Sequence, residues 1–398
     1  MEASSLEAKP KFVSDYKIIE DKSIFGKQEY YVLACEDKEK YIKIPKNKLK
    51  YVQRIIKLFD GSSTLSNVQS KVEDELKCKV DIGAFYKILV NNGFIENEQR
   101  GIISNEIDIM SKEIVKVILK PQSKKIKEIA KAIKKLFIAL YSILIFFSII
   151  VAINNFNVLD LGNTKQLYKY NNSASAGFIY LTIMSGFSLI AHELSHIIVA
   201  LSLGKDVYKV SFNLYSGCMP IVYIKVKGIN TLKNVEKIQI VMAGLVTNLA
   251  IAFVSLGIAS LGGIDSNFRD MCKIVAISNF IAIVTNLSPF SLTDGYFLFS
   301  ILLNKFNVRT YIIKYMFFKN KAYKISKKER RVYFIYFIAS LIAIAYMFLF
   351  MARWIFLAWY DAHSIFTKIF VAIVTVLPCI GIVDILKKLK GVKNKQQA

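Results

Sequence analysis

The chain is short of several things at once. Its 398 residues include five cysteines, six prolines, two tryptophans and three histidines. Cys35, Cys78, Cys218, Cys272 and Cys379 are scattered, odd in number and free of any C-x-x-C pair. That excludes a disulfide scaffold and a thiolate metal site. Acidic residues are also scarce: 30 Asp+Glu against 54 Lys+Arg, an excess of 24 positive charges. No apolar run long enough to matter precedes residue 136, so no N-terminal signal peptide is expected.

The acid shortage is localised. Residues 1–110 carry 18 basic and 18 acidic side chains, a net of zero; residues 111–135 carry nine Lys and two Glu, a net of +7; the remainder carries 27 basic and 10 acidic, a net of +17. Hydrophobic residues make up 54% of the chain and charged ones 21%, with a mean hydropathy of +0.38. High apolarity and high charge in one chain require that the two be segregated. The pattern predicts a balanced soluble domain over 1–110, a basic juxtamembrane linker over 111–135 and a membrane domain over 136–398. The basic excess lies in loops between apolar runs, which points to anionic lipid and membrane orientation and away from nucleic acid.

The first segment predicts a small α+β, winged-helix-like domain. Asp15–Glu20, Gln28–Ala34 and Lys40–Pro45 alternate as short strands. Lys46–Phe59 has Leu49, Val52, Ile55, Ile56 and Phe59 at helical spacing. Thr64 and Asp81 are N-cap residues for two further helices, and Asn92-Gly93 closes the last.

Six apolar stretches follow, at about 136–154, 177–203, 236–261, 272–303, 332–352 and 364–386. Each approaches the ~20 residues that cross a bilayer. Loops 204–235 and 304–331 and the C-terminal tail are rich in Lys and Arg, whereas 155–176, 262–271 and 353–363 hold few. The positive-inside rule then places both termini of a multi-pass protein in the cytoplasm of a bacterial cell.

The second stretch contains His192-Glu193-Leu194-Ser195-His196, an H-E-x-x-H sequence on a helix. Four-residue spacing puts both imidazoles on one face, where they can hold one Zn²⁺, with Glu193 beside them as a base for a metal-activated water. Two of the three histidines in the chain fall here. The competing reading is a pair of satisfied polar contacts between helices. A catalytic zinc wants a third protein ligand. Of the ten acids beyond residue 135, only Glu193 and Asp294 lie well inside an apolar stretch. Asp294 sits about nine residues before the cytoplasmic end of the fourth stretch and His196 about seven before that of the second, which gives them similar depth at ~1.5 Å per residue. The segment Asn286-Leu287-Ser288-Pro289 … Thr293-Asp294-Gly295 predicts a broken helix there, because Pro289 removes a hydrogen bond and Gly295 loosens the backbone. Broken backbone at membrane depth is tolerated where it lines a protein cavity.

H-E-x-x-H in one span and N-x-x-P-x-x-x-x-D-G in a later one resemble the site-2 protease family of intramembrane zinc metalloproteases, over residues 177–303. The resemblance implies a six-span membrane metalloprotease with a site-2-protease-like core, one Zn²⁺ on His192, His196 and Asp294, and Glu193 as catalytic base. It also implies that Asn286 and Pro289 lie by the site. Ala243-Gly244-Leu245-Val246-Thr247-Asn248 is similar to the family's A-G-x-x-x-N segment and marks Asn248 as a polar partner; close helix packing at Gly244 remains the alternative. Val207–Leu214 and Ile221–Val226 alternate around Ser216-Gly217-Cys218-Met219-Pro220 and predict a cytoplasmic β-hairpin within 205–230, with Gly217 at its tip. Such a hairpin can add a substrate strand, or can simply connect two spans.

Residues 12–97 resemble PqqD-like peptide-recognition domains through Tyr41-Ile42-Lys43-Ile44-Pro45, Phe59-Asp60-Gly61-Ser62-Ser63-Thr64-Leu65 and Asn92-Gly93-Phe94-Ile95. Those domains bind leaders of ribosomally made peptides. A zero net charge counts against one rival reading, a DNA-binding winged helix, and contact with another protein remains the alternative. The two resemblances imply a protease that removes the leader of a bacteriocin-like precursor peptide, working beside an ABC exporter or modifying enzymes. The alternatives are regulated intramembrane cleavage of a signalling protein such as an anti-sigma factor, and a non-proteolytic leader-binding subunit of an export or immunity complex.

Overall fold

A computed structural model describes residues 7–22, 29–35, 40–77, 79–96, 111–154, 170, 174–215, 219–288, 293–303 and 330–339, together with isolated positions between 342 and 372. The chain divides into two compact units. One comprises residues up to 105 with 226–237 and 302–304, and the other comprises the remainder.

In the first unit an antiparallel meander, β1 (Lys17–Lys22), β2 (Glu29–Cys35) and β3 (Lys40–Pro45), precedes helices α1 (Leu49–Leu58), α2 (Leu65–Leu76) and α3 (Ile82–Asn91). The first strand starts two residues later than its alternation predicts. The helix starts follow the capping chemistry: Thr64 accepts from Asn67 N and Asp81 accepts from Ala84 N at 2.9 Å. Between α1 and α2 the chain turns at Gly61, whose φ of +86° suits glycine. Asp60 accepts there from the Ser62 hydroxyl and amide, which holds its carboxyl below the usual range. Val52, Ile55 and Ile56 of α1 meet Leu33, Ile44, Val68, Val72, Leu89 and Phe94 in one core.

The second unit is built on α4 (Lys124–Asn154), α5 (Ala174–Ser202), α6 (Asn234–Ala259), α7 (Ser266–Asn286) and α8 (Asp294–Leu302), with strands β4 (Ser111–Ile118), β5 (Val207–Tyr215) and β6 (Met219–Val226). Among the described residues three helices are long and apolar enough to cross a membrane: Lys124–Val151, Ile179–Ser202 and Asn234–Ala259. The sequence predicts six. Its fourth stretch is divided between α7 and the short α8. Its fifth and sixth fall mostly outside the described residues, although 330–339 are helical. Phe146, Phe147 and Ile153 of α4 are more than half exposed, a surface suited to lipid and costly in water.

The segment 111–135 carries more structure than a linker. Residues 111–118 pair as β4 antiparallel to β5, so the expected hairpin becomes a three-stranded sheet of order β4-β5-β6. Gln122 ties the following turn to β5: its amide donates to Val207 O and accepts from Val207 N, both at 2.9 Å. Lys127 pairs with Asp206 at 2.7 Å.

Candidate metal centre

Three helices present site-facing residues at helical spacing, and a fourth contributes its first residue. On α5, Ser185, Ser188, His192 and His196 follow at intervals of three and four. On α6, Ile240, Gly244 and Asn248 do the same. α7 ends at Asn286, with Leu287 as its C-cap, and α8 begins at Asp294. Pro289, around which the helix interruption is expected, lies between these two helices and outside the described residues, and Gly217 also lies outside them. Gly295 permits the turn, since a Cβ there would collide with the Leu287 carbonyl at the end of α7.

His192 and His196 are buried. Their Nε2 atoms stand 3.1 Å apart, and Asp294 Oδ2 lies 3.0 Å from His192 Nε2 and 3.5 Å from His196 Nε2. His192, Glu193 and His196 offer ligand atoms within 4.8 Å of one another, a group that can hold a metal ion. The tautomer of His196 follows from its other nitrogen. Nδ1 is 2.6 Å from the Ile240 carbonyl oxygen, which can only accept. Nδ1 therefore carries the hydrogen, and in the neutral ring Nε2 turns a lone pair toward Asp294. Asp294 Oδ2 is a buried oxygen that meets a hydrogen at this convergence only if His192 Nε2 carries one. A proton on His192 Nε2 serves one of these pairs, whereas a cation at the point of convergence serves all three.

Gly244 explains how α6 comes so close. A Cβ at this position would overlap the His192 imidazole, so only glycine leaves room for the ring. Close helix packing, the alternative for this segment, is what the structure shows at Gly244, and the packing is against the His192 ring. Asn248, one turn on, is 3% exposed, and its Oδ1 has no partner among the described residues. Asn248 and Asn286 line a cavity of about 210 Å³ that borders His192, together with Ser188 and Asn279. The sequence signal for these last two residues is available in hindsight. Ser188 shares the histidine face of α5, and Asn279 shares a face of α7 with Asn286. Compared with family models, with curated proteins and with solved structures, the chain matches none.

Proposed function

We propose that the chain is an intramembrane zinc metalloprotease of the site-2 type, a six-span protein of the bacterial cytoplasmic membrane with both termini in the cytoplasm. In this reading it removes the leader of a ribosomally made precursor peptide. The observation that carries the reading is the spacing of the three donors. Two ligands each about 2.0–2.1 Å from a tetrahedral zinc stand about 3.3 Å apart, and the three separations here are 3.1, 3.0 and 3.5 Å. His192, His196 and Asp294 would hold the ion. The Ile240 carbonyl would fix the orientation of His196, as partners behind metal-bound histidines commonly do.

A zinc bound there supplies Lewis acidity, making water nucleophilic near neutral pH and polarising a peptide carbonyl. Glu193, beside the histidines, takes the proton from the attacking water and returns it to the departing amine. The sheet supports substrate binding in extended form: in the order β4-β5-β6 the outer edge of β6 is unpaired among the described strands, and a peptide can add there. The N-terminal domain acts as a PqqD-like module that captures the leader, and its balanced charge suits strand pairing over electrostatic attraction. An ABC exporter or modifying enzyme would act on the same peptide.

The test is zinc content and cleavage by the purified, reconstituted chain. One zinc per chain is expected, lost in Asp294→Ala. Glu193→Gln should keep the metal and lose cleavage. Full activity in Asp294→Ala, or retained cleavage in Glu193→Gln, would overturn the reading.

A further inference from the structure

Away from the metal centre, a side-chain hydrogen bond also joins the histidine helix α5 to α7. Nδ2 of Asn279 donates to Ser188 Oγ at 3.0 Å and to the Val275 carbonyl at 2.9 Å. Because that carbonyl can only accept, the orientation of the amide is settled, and both of its hydrogens are used. Asn279 is 1% exposed, and its Oδ1 has no partner among the described residues.

This bond belongs to a closed circuit of contacts. Ser188 stands one turn before His192 on α5. From Asn279, α7 continues for two turns to Asn286 and its C-cap Leu287. The residues on either side of Asp294 are tied to that end. Thr293 Oγ1 donates to the Ser288 carbonyl at 2.9 Å, and Gly295 lies so close to the Leu287 carbonyl that a Cβ would overlap it. Asp294 is therefore placed by the end of α7, and it closes the circuit on His192 at 3.0 Å. Sliding α7 by one residue moves it about 1.5 Å and turns its faces by about 100°, whereas metal–ligand distances tolerate about 0.2 Å. The other buried residues of α7, Cys272, Ile274, Ala276 and Ile277, are apolar, and apolar packing is non-directional. A buried amide that leaves its own oxygen unmet adds little strength to the contact. What it adds is selection of one alignment, as single buried polar residues do between coiled-coil helices.

We infer that Ser188 and Asn279 are positioning residues of the metal centre: their hydrogen bond fixes the register of α7 on α5 and thereby where Asp294 meets the two histidines. The inference rests on the metal reading of His192, His196 and Asp294 and assigns a second pair of residues to it. Neither Ser188 nor Asn279 touches the ion; both act through the helices that carry its ligands.

The experiment uses the full chain in detergent micelles. It reads zinc affinity by competition with a chelator, and the thermal unfolding midpoint of the metal-free chain. Asn279→Leu replaces the amide by an apolar side chain of similar volume, so metal-free stability should stay equal or rise. Zinc affinity should fall roughly tenfold, the lower end of the effect of losing an outer partner of metal ligands. Ser188→Ala should weaken zinc to a similar degree, and in the double variant the two losses should not add, because they remove the same bond. Ser188→Thr keeps the hydroxyl and should keep the affinity. If Asn279→Leu does not fold, Ser188→Ala decides alone, with Ser188→Thr as its control. Zinc affinity unchanged in both single variants, or fully additive losses, overturns the inference and leaves the metal reading standing. Lower metal-free stability in both variants also overturns it, since the bond then serves packing alone. An unaltered chain that binds no zinc overturns the metal centre itself.

Discussion

Replacing Gly244 by alanine sets two physical effects against each other. In a helix interior alanine is favoured over glycine by about 1 kcal/mol, so propensity alone predicts a slightly more stable α6. The packing predicts damage at a specific place. An added Cβ would stand 2.6 Å from Cδ2 of His192 and closer still to Cε1 and Nε2. Carbon atoms rest at about 3.5–4.0 Å, so the ring must retreat by on the order of 1 Å. Metal–ligand distances tolerate only about 0.2 Å. Gly244→Ala should therefore weaken zinc binding at least tenfold while leaving helix content unchanged. The assay is competition between the detergent-purified full chain and a chelator of known affinity, with circular dichroism in parallel. Zinc affinity equal to that of the unaltered chain would refute the placement of α6 against His192. Loss of helix content along with the metal would make the effect one of folding, which the propensity term argues against.

Three further outcomes are expected. Asp81→Ala removes the side-chain acceptor at the start of α3 and should cost roughly 1 kcal/mol, read as faster hydrogen exchange at Ala84 and Phe85 in the full chain; unchanged protection there would mean the cap carries no weight. Reporters fused at Lys165 and Asp361 should read as external and one at Lys319 as cytoplasmic; the reverse pattern would put the N-terminal domain in the wrong compartment for the proposed function. Deleting residues 1–100 should cripple cleavage of dilute full-length precursor far more than cleavage of a short leaderless peptide in excess, because tethering raises effective concentration toward the mM range; equal losses on both substrates would remove leader capture and favour the regulated-signalling alternative.

What could be read from the residues alone is what local chemistry encodes. Thr64 and Asp81 mark helix starts because a short polar side chain at that position satisfies a free backbone amide, whatever packs nearby. His192 and His196 share a face because a helix repeats every 3.6 residues. Asp294 was reachable by elimination, since an acid in an apolar stretch is too costly to be idle. The segment 111–118 defeated the same approach. Ile114, Val115, Val117 and Ile118 put apolar side chains on both faces, and the backbone partner that makes them a strand lies far away at β5. Only the tertiary structure decided which atoms meet at the site: the Ile240 carbonyl behind His196, the bare Cα of Gly244 against the His192 ring, and the Asn279 amide turned by Val275 and Ser188. Periodicity specifies the face a residue occupies. It carries no information on the depth, rotation or neighbour of the helix opposite, and these follow from close packing among several helices at once.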